Sequence, residues 1–412
     1  MEYGLLGEKL GHSYSPLIHS VMGSYDYRLL PVTPEELEEL LQKRDFRGLN
    51  VTIPYKQTVL PFCDEVSEAV RLIGSANTLV CEDGRIRADN TDLPGFLEML
   101  RAAGIGLTGK KIVILGSGGT SLTAQAACRV SGARETVVIS RSGPVGYEAL
   151  YRDHTDAEVL INATPVGMYP GNLASPADLT RFPRLTGVAD VIYNPAKTAL
   201  VLDAEELGIP HADGLRMLAA QAWHAARLFL KEDLPVSRID EACALVRRKT
   251  RNLILVGMPG CGKTTLGRQA AALLQRPFVD LDVEIERQTG KAVAQVFAEA
   301  GEPAFREMES AMAEKYGKES GLVIATGGGT VLRRGNVRAL RQNGVLVWVR
   351  RALDRLSVDG RPLSAGMDAL VRMEAFRTPI YTACADRSVE NSGAVEDTAR
   401  RIVEAFNEAV GD

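Results

Sequence analysis

Two runs of consecutive apolar residues are each followed by glycines and then by a helical pattern. They are residues 111–115 (KIVIL) before GSGG, and residues 252–256 (NLILV) before GMPGCGKT. An uninterrupted apolar strand that leads into a glycine turn and a helix is typical of a parallel sheet covered on both faces. Because the glycine spacing differs, the two units predict two different nucleotide sites rather than one repeated domain.

The rest of the pattern predicts short strands and helices around these two units. Apolar or alternating segments predict strands at 3–6, 27–31, 49–53, 78–81, 85–88, 136–140, 159–162 and 188–192. Helical spacing predicts helices near 34–43, 94–103 and 215–230. Residues 231–251 are charged and partly helical, and Pro235 interrupts them, so we place the interdomain linker there. Residues 252–412 then form a separate α/β unit.

Composition narrows the class of protein. The chain has 412 residues, a formal net charge of −4 and six cysteines without C-x-x-C spacing. These features argue against a nucleic-acid partner, a zinc site or a disulfide scaffold, and they favour reduced cysteines in the cytoplasm. The N-terminus does not resemble a signal peptide, and no run of 18 apolar residues occurs, so we expect no membrane association.

The first glycine loop predicts a dinucleotide site. In Gly116-Ser117-Gly118-Gly119 the glycines let the backbone approach a pyrophosphate at a helix N-terminus. About 20 residues further on, where NAD enzymes carry an acidic residue, stands Arg141, which suits the 2′-phosphate of NADP. The alternative is that Arg141 is only a solvated charge at a strand end.

Several short polar motifs predict a site for a small hydroxylated carboxylate. Such a ligand needs a placed hydrogen-bond partner for each of its hydroxyl groups. Any one of these residues alone is more often part of a turn or a helix cap. The candidates are Ser13, Ser15, Thr52, Lys56, Asn77 and Asp92.

Together these motifs resemble the shikimate dehydrogenase family over residues 1–233. Later segments agree in order and spacing, namely residues 162–168 (NATPVGM), residues 190–195 (DVIYNP), Gly214 and Gln221. The resemblance implies that Lys56 and Asp92 form the acid/base pair, for which the alternative is a surface salt bridge. It also implies that the substrate is bound by Ser13, Ser15, Thr52, Asn77, Asp92, Tyr193 and Gln221. On spacing alone, Gln221 could instead be a polar residue in a helix core.

The same resemblance implies a two-lobed dehydrogenase that uses NADP(H). A mixed α/β substrate domain at 1–97, completed by helices in 215–233, would precede a Rossmann NADP domain at 98–214 and a linker at 234–251. The implied cofactor residues are Glu68, Gly116, Ser117, Gly118, Gly119, Thr120, Ser140, Arg141, Val191 and Gly214. Two positions depart from the family pattern: Leu122 and Ser140 stand where Arg or Lys, and Asn, are usual.

The second glycine loop is a complete Walker A sequence, G-x-x-x-x-G-K-T at residues 257–264. In such a loop backbone N–H groups hold phosphates, Lys263 reaches the β and γ oxygens, and Thr264 binds Mg²⁺. On the next strand, Asp280 and Asp282 are two residues apart, so we expect both on one face at the strand end. We therefore predict a phosphoryl-transfer site that uses ATP and Mg²⁺.

A further set of residues predicts the acceptor of this second site. Arg306 and Glu309 are spaced to share one helix face, which also allows a simple helical salt bridge. Three glycines at 327–329 follow a buried strand and could lie against a flat ring. Arg361 and Arg377 supply two more cations.

Residues 252–400 resemble shikimate kinase. The resemblance implies a P-loop parallel-sheet domain at 252–412, in which Asp282, Arg306, Gly328 and Arg377 bind shikimate. Asp282 would orient or deprotonate the attacking hydroxyl, Asp280 would act through magnesium-bound water, and Arg361 and Lys263 would stabilise the transferred phosphoryl group. The nucleotide-loop residues would be Gly260, Cys261, Gly262, Lys263, Thr264 and Thr265.

The leading hypothesis is a bifunctional enzyme, because the product of the first half is the acceptor of the second. One alternative is altered specificity, towards quinate in the first half or another small polyol in the second. Another is a regulatory or scaffolding protein with one inactive half. Monomer or homodimer, and channelling between the halves, stay open.

Overall fold

The computed structural model describes residues 2–11, 13–356 and 367–411. The predicted catalytic residue Arg361 lies outside the described residues. The chain divides into two compact units. The first comprises Met1–Met168, Ala174–Asn194 and Leu200–Val246, and the second comprises Tyr169–Leu173, Pro195–Ala199 and Arg247–Asp412.

The first sheet is mixed and has the strand order β2-β1-β3-β5-β6-β4. Strand β1 is buried at every position, which places it in the middle of the core. Helix α2 begins with a capping box in which the side chain of Thr33 and that of Glu36 each accept from the other's backbone N–H. The elements are β1 (Tyr3–Gly7), α1 (Ser15–Met22), β2 (Tyr27–Pro31), α2 (Pro34–Lys43), β3 (Gly48–Val51), β4 (Glu65–Val66), α3 (Glu68–Ile73), β5 (Thr78–Glu82), β6 (Arg85–Asp89) and α4 (Asp92–Ala102).

The second sheet is entirely parallel, in the order β11-β10-β9-β7-β8. Strands β7 and β9 are fully buried, as expected for a sheet with helices on both faces. The elements are β7 (Lys111–Leu115), α5 (Gly119–Val130), β8 (Glu135–Ile139), α6 (Tyr147–Asp153), β9 (Val159–Asn162), β10 (Gly187–Asp190), α7 (Ala199–Glu206), β11 (His211–Ala212) and α8 (Gly214–Leu230).

The segment predicted as a linker contains helix α9 (Ser237–Thr250). Its apolar residues Ile239, Cys243 and Val246 are buried in one cluster with residues of α1 and α8. The division between the two compact units falls after Val246, inside the range 234–251. Most of this segment is therefore part of the first unit. The boundary that we expected between residues 97 and 98 falls within helix α4, which packs against α8.

The third sheet, in the second unit, is parallel with the order β13-β14-β12-β15-β16. Helix α12 is interrupted at Gly301, whose φ of 78° favours glycine, and Pro303 then starts its second part. The elements are β12 (Asn252–Val256), α10 (Lys263–Leu274), β13 (Phe278–Asp280), α11 (Leu281–Thr289), α12 (Val293–Gly317), β14 (Val323–Ala325), α13 (Arg334–Arg341), β15 (Gly344–Arg350), α14 (Met367–Cys384), β16 (Arg387–Glu390) and α15 (Val395–Gly411).

These elements confirm the α/β class with parallel sheets. In the part of the chain that the structure describes, no helix combines the length and the apolar character needed to cross a membrane.

Candidate active sites

A cleft of about 250 Å³ in the first unit brings together all seven residues predicted to bind its substrate. Thr52 follows β3, Asp92 begins α4, and Gln221 lies on the middle of α8. The predicted residues that line the cleft are Ser13, Ser15, Thr52, Lys56, Asn77, Asp92, Thr120, Val191, Tyr193, Gly214 and Gln221.

Lys56 and Asp92 form an ion pair in this cleft. The Lys56 Nζ atom donates to Asp92 Oδ2 at 2.6 Å. The second oxygen, Oδ1, accepts from Asn77 Nδ2 at 3.0 Å, and the backbone N–H of Asp92 donates to Asn90 Oδ1 at 3.1 Å. The side chain of Asp92 is 9% exposed and that of Lys56 is 29% exposed. Each carboxylate oxygen thus accepts one hydrogen bond and the backbone is fixed by a third, while the ammonium stays open to the cleft.

Hydroxyl and amide groups surround this pair. Asn77 Nδ2 also donates to Gln221 Oε1 at 3.2 Å, so Gln221 faces the cleft and is not a core residue. The Ser13 hydroxyl donates to that of Ser15 at 3.1 Å, which places two hydroxyl groups side by side in the cleft. Burial raises the pKa of Tyr193, so its hydroxyl stays protonated and can donate a hydrogen bond. This arrangement can bind a small molecule with several hydroxyls and a carboxylate.

Two further cleft residues, His19 and Asn50, were not predicted from the sequence. The His19 ring stacks on Tyr27 with centroids 3.8 Å apart, and burial lowers the pKa of His19 to about 3, so it is neutral. Asn50 Oδ1 accepts from the Tyr27 hydroxyl at 2.8 Å. The available signal was spacing, because Asn50 is two residues before Thr52 and His19 is four residues after Ser15 on α1.

The loop after β7 has the shape expected for a dinucleotide pyrophosphate. Gly116 has φ of 102°, and a Cβ atom there would lie 2.8 Å from the carbonyl oxygen of Ala163. Gly118 and Gly119, at the start of α5, have no atom within 4 Å of a built Cβ, so their backbone faces open space. At Gly214 a Cβ would lie 2.0 Å from the Val191 carbonyl oxygen, so α8 can approach only without a side chain. These residues fit the nicotinamide nucleotide that the sequence predicts.

The remaining residues predicted to bind the cofactor differ in their exposure to solvent. Ser117 and Arg141 are exposed, as ligand-facing loop residues can be. Ser140 is buried, and its Oγ atom has no hydrogen-bond partner among the described residues. Glu68 is exposed at the start of α3 and does not line the cleft. The role of Glu68 at the cofactor stays a prediction.

In the second unit, the loop between β12 and α10 curls around an ammonium group. Gly257, Gly260 and Gly262 all have positive φ angles, of 146°, 82° and 101°. Lys263 is buried, and its Nζ atom donates to the carbonyl oxygens of Gly257 (2.9 Å) and Met258 (3.1 Å). Cys261 is buried within the loop, whereas Thr264 and Thr265 are exposed at the first turn of α10. This geometry fits a phosphate group at the helix N-terminus.

Asp280 links this loop to the predicted acceptor site. The Thr264 hydroxyl donates to Asp280 Oδ2 at 2.6 Å, which joins the two predicted Mg²⁺ residues. The expectation that Asp280 and Asp282 share a strand face is wrong, because β13 ends at Asp280 and Asp282 lies in the first turn of α11. Asp280 caps this helix by accepting from the backbone N–H of Asp282 at 3.1 Å. The Asp282 carboxyl nevertheless lies against the glycine loop after β14, since a Cβ atom on Gly327 would be 2.9 Å from Asp282 Oδ1.

Asp282 is the most perturbed carboxyl group of this site. Burial, followed by the negative charges of Asp280 and Glu309, raises its pKa to about 6, and the positive charge of Lys263 opposes this shift. Its Oδ1 atom is buried without a hydrogen-bond partner among the described residues. A carboxyl group in this state is suited to accept a proton near neutral pH.

Arg306 and Arg377 both lie against the glycine loop after β14. Arg306 forms the predicted helical ion pair with Glu309 at 2.8 Å, and its guanidinium lies so close to Gly329 that a Cβ there would be 2.3 Å away. Arg377 Nη1 donates to the carbonyl oxygen of Gly328 at 3.0 Å, and its Nε is buried without a partner in the described residues. The spare donors of both guanidinium groups suit a carboxylate.

Two supporting residues of this site were not predicted. Thr330 donates to the buried carboxylate of Glu309, and Tyr381 donates to the Gly328 carbonyl oxygen at 2.7 Å. Tyr381 is four residues after Arg377 on α14, so helical spacing could have indicated it. Thr330 lies in a short turn and left no signal in the pattern.

The chain thus combines a dehydrogenase-type nicotinamide site beside a Lys–Asp cleft with a separate P-loop site for phosphoryl transfer. Residues 5–79 match the family model described as the shikimate dehydrogenase substrate binding domain, and residues 259–407 match the model described as shikimate kinase. A shikimate dehydrogenase (NADP(+)) from Caldicellulosiruptor bescii is 37% identical over 254 residues, which cover 55% of this chain and 88% of that protein.

Solved structures of shikimate dehydrogenases are also similar to this chain. A chorismate mutase/shikimate 5-dehydrogenase fusion protein from Clostridium acetobutylicum is 34% identical with a TM-score of 0.56, covering 58% of this chain and 94% of that one. Shikimate 5-dehydrogenase from Thermus thermophilus, in complex with NADP(H) and shikimate, is 32% identical with a TM-score of 0.53, covering 59% of this chain and 98% of that one. The chain belongs to the shikimate dehydrogenase family, and it carries a shikimate kinase domain in its C-terminal part.

Proposed function

We propose that this protein is a bifunctional enzyme that performs two consecutive reactions on one carbon skeleton. The first unit reduces 3-dehydroshikimate to shikimate with NADPH, and the second phosphorylates shikimate with ATP and Mg²⁺. The observation that carries the proposal is the presence, in one chain, of the Lys56–Asp92 cleft and of the P-loop site around Asp282. Both sites have the polar groups that a hydroxylated carboxylate requires.

In the first unit, Lys56 is the proton donor in the reduction. The cofactor supplies the hydride to the carbonyl carbon when it is bound. Negative charge then develops on the carbonyl oxygen, and the Lys56 ammonium stabilises this charge and donates a proton. Asp92, held by Asn77, keeps the ammonium oriented and balances its charge. Ser13, Ser15, Thr52, Tyr193 and Gln221 bind the other polar groups of the substrate, and the loop residues 116–120 hold the pyrophosphate.

In the second unit, Asp282 accepts a hydrogen bond from the attacking hydroxyl and takes its proton as the bond to phosphorus forms. Arg306 and Arg377 hold the acceptor carboxylate, and Gly328 and its neighbours lie against the ring. The P-loop amides and Lys263 bind the phosphates. Mg²⁺ supplies charge neutralisation on the phosphate oxygens, and Thr264 and Asp280 are the residues that would hold it. Arg361 is proposed to add charge stabilisation at the transferred group.

The proposal extends to the surroundings of the enzyme. We expect it to act in the cytoplasm on small molecules alone, as a monomer or a homodimer, without a nucleic-acid or membrane partner. The net charge of −4 is the observation that supports the absence of a nucleic-acid partner.

Single substitutions separate the two activities. Lys56→Met should lower the rate of 3-dehydroshikimate reduction by about 10²–10⁴-fold, the range for loss of a general acid, and leave phosphorylation of supplied shikimate unchanged. Lys263→Met should abolish phosphorylation and leave reduction unchanged. Lys43→Met and Lys291→Met, at lysines that form exposed ion pairs, are the matched controls. If Lys56→Met or Lys263→Met leaves both rates intact, the corresponding half does not work as proposed.

A further inference from the structure

Two polar residues, Arg351 and Asn391, follow neighbouring strands of the third sheet. Arg351 comes directly after β15, and Asn391 comes directly after β16. Strand β15 pairs in parallel with both β12 and β16, so the ends of these strands meet at one edge. The P-loop follows β12 at the same edge, where ligands bind in open α/β sheets.

Both side chains reach the P-loop where α10 begins. Asn391 Nδ2 donates to the carbonyl oxygen of Cys261 at 2.8 Å. A Cβ atom built on Gly262 would lie 2.8 Å from Asn391 Nδ2 and 3.9 Å from Arg351 Nη1. Gly262 is the N-cap residue of α10, and its backbone precedes Lys263. The guanidinium of Arg351 therefore lies beside the positive end of a helix, next to the residue that precedes the buried Lys263.

This concentration of positive charge needs a negative partner. Within the described residues, Arg351 has no carboxylate within 4.0 Å, and its Nε atom is buried without an acceptor. The neighbouring Arg350 differs, because it lies 3.8 Å from the Glu390 carboxylate and stacks over the Trp348 ring at 5.4 Å. A cation at a helix N-terminus is unfavourable unless an anion lies between the two charges.

We propose that Arg351 binds the phosphate chain of the nucleotide. Arg351 follows β15 and Gly328 follows β14, so the two residues come from strands on opposite sides of β12. A guanidinium donates two parallel hydrogen bonds to phosphate oxygens, which matches the fork of donors that Arg351 brings to the start of α10. Asn391 is a positioning residue, since its amide fixes the Cys261 carbonyl group and so the path of the loop. The inference rests on the proposed nucleotide site, and it adds a residue that the Walker A sequence does not contain.

The test is the affinity of the full-length protein for Mg²⁺ADP and for Mg²⁺ tripolyphosphate, measured by titration calorimetry. Arg351→Ala should weaken the binding of both compounds by about 10–100-fold, the range for loss of a hydrogen bond to a charged group. Arg351→Lys should give an intermediate affinity, because it keeps the charge and loses the fork. Arg350→Ala is the matched control and should change both affinities by less than about twofold.

The comparison of the two probes decides the result. If Arg351→Ala binds both compounds as the unaltered protein does, or loses affinity for ADP alone, Arg351 does not contact the phosphates. Binding of shikimate by the same variants shows that the second unit is folded, and Arg351→Lys keeps the test informative if Arg351→Ala is unstable. Shikimate phosphorylation by the unaltered protein is measured separately, so that its absence would count against the proposed kinase reaction and not against Arg351.

Discussion

At the scale of single residues, the two carboxyl groups proposed to be catalytic, those of Asp92 and Asp282, differ in what surrounds them. Asp92 has the Lys56 ammonium at 2.6 Å and the Asn77 amide at 3.0 Å. Asp282 has the carboxylates of Asp280 and Glu309 nearby, and burial is the largest cause of its raised pKa. One carboxylate therefore orients a proton donor, whereas the other is prepared to receive a proton.

The raised pKa of Asp282 predicts the pH dependence of the kinase reaction. Below about pH 6 the carboxyl group is protonated and cannot accept the proton of the attacking hydroxyl. The kcat/KM for shikimate should therefore fall about tenfold per pH unit below pH 6. Far-ultraviolet circular dichroism at each pH, compared with that at pH 7, is the control for folding of both units. A kinase profile that is flat down to pH 5 would contradict this role of Asp282.

The same pKa has a consequence for stability, with the opposite sign to that of a salt-bridged carboxylate. When the pKa of a carboxyl group is higher in the folded state than in the unfolded state, its ionisation destabilises the fold. The free energy of unfolding therefore falls as pH rises from the unfolded-state pKa to the folded-state pKa. Asp282→Asn should therefore abolish phosphorylation yet raise the free energy of unfolding of the second unit at pH 7, by about 1–3 kcal/mol. The gain should disappear near pH 4, as denaturant titrations at the two pH values would show.

At the scale of elements, helix α9 supports the helix that carries Gln221. Its residues Ile239 and Val246 are buried with α8 and α1, and Asp240 pairs with Arg216 of α8 at 2.6 Å. The Trp223 indole N–H donates to the carbonyl oxygen of Pro235 at 3.1 Å, which fixes the entry to this helix. The segment is thus part of the dehydrogenase fold.

A core substitution in α9 tests this assignment. Ile239→Ala removes a side chain that is 1% exposed, and we expect a loss of about 2–4 kcal/mol in the stability of the first unit. Val236→Ala, at a residue that is 51% exposed, should change it by less than about 0.5 kcal/mol. The measurement is the urea midpoint of dehydrogenase activity, with kinase activity as the internal reference. Equal midpoints for the two variants would show that α9 is only a tether.

The glycines before α5 and α6 offer a second matched pair. Gly118 and Gly146 are both N-cap residues with extended backbone, and a Cβ at either would meet no atom within 4 Å. Gly118→Ala and Gly146→Ala should therefore cost similar stability, about 1 kcal/mol or less. Only Gly118→Ala should raise the KM for NADPH, by about tenfold or more, because the pyrophosphate must approach this backbone. If both variants keep the normal KM, the nucleotide does not bind at this loop.

How much of this could be predicted from the sequence depends on whether the signal was local. The bounds of β7, β9 and β12 were predicted without error, because an uninterrupted apolar run marks a buried strand. The docking of α9 was not predicted, although Ile239, Cys243 and Val246 have the i, i+4, i+7 spacing of a buried helix face. The charged residues between them interrupt the apolar pattern and are typical of an exposed linker.

In the candidate sites, too, residues within recognisable motifs were predicted and residues placed by distant contacts were not. The motif residues around Lys56 and Asp92 came together as predicted, since the pattern of the family contains this information. The position of Asp282 in a helix could not be read from spacing, because the cap at Asp280 decides where α11 begins. His19 and Asn50 line the cleft through contacts with Tyr27, which come from distant parts of the chain.

At the scale of the whole molecule, each compact unit contains the residues proposed for one reaction. The substrate cleft residues and the loop at 116–120 belong to the first unit, and the P-loop and acceptor residues belong to the second. The reactions share a compound, because the hydroxylated carboxylate made in the first unit is the acceptor in the second. Fusion alone does not require direct transfer, since the product can also leave one site and bind the other from solution.

The most direct test of the two-reaction account is one incubation of the purified chain with 3-dehydroshikimate, NADPH, ATP and Mg²⁺. NADPH absorbance and shikimate 3-phosphate are followed together. The account predicts loss of NADPH with formation of the phosphate ester, and accumulation of shikimate when ATP is left out. Loss of NADPH with shikimate accumulating in the presence of ATP would contradict the kinase assignment. Stable NADPH absorbance, with phosphorylation of supplied shikimate, would contradict the dehydrogenase assignment.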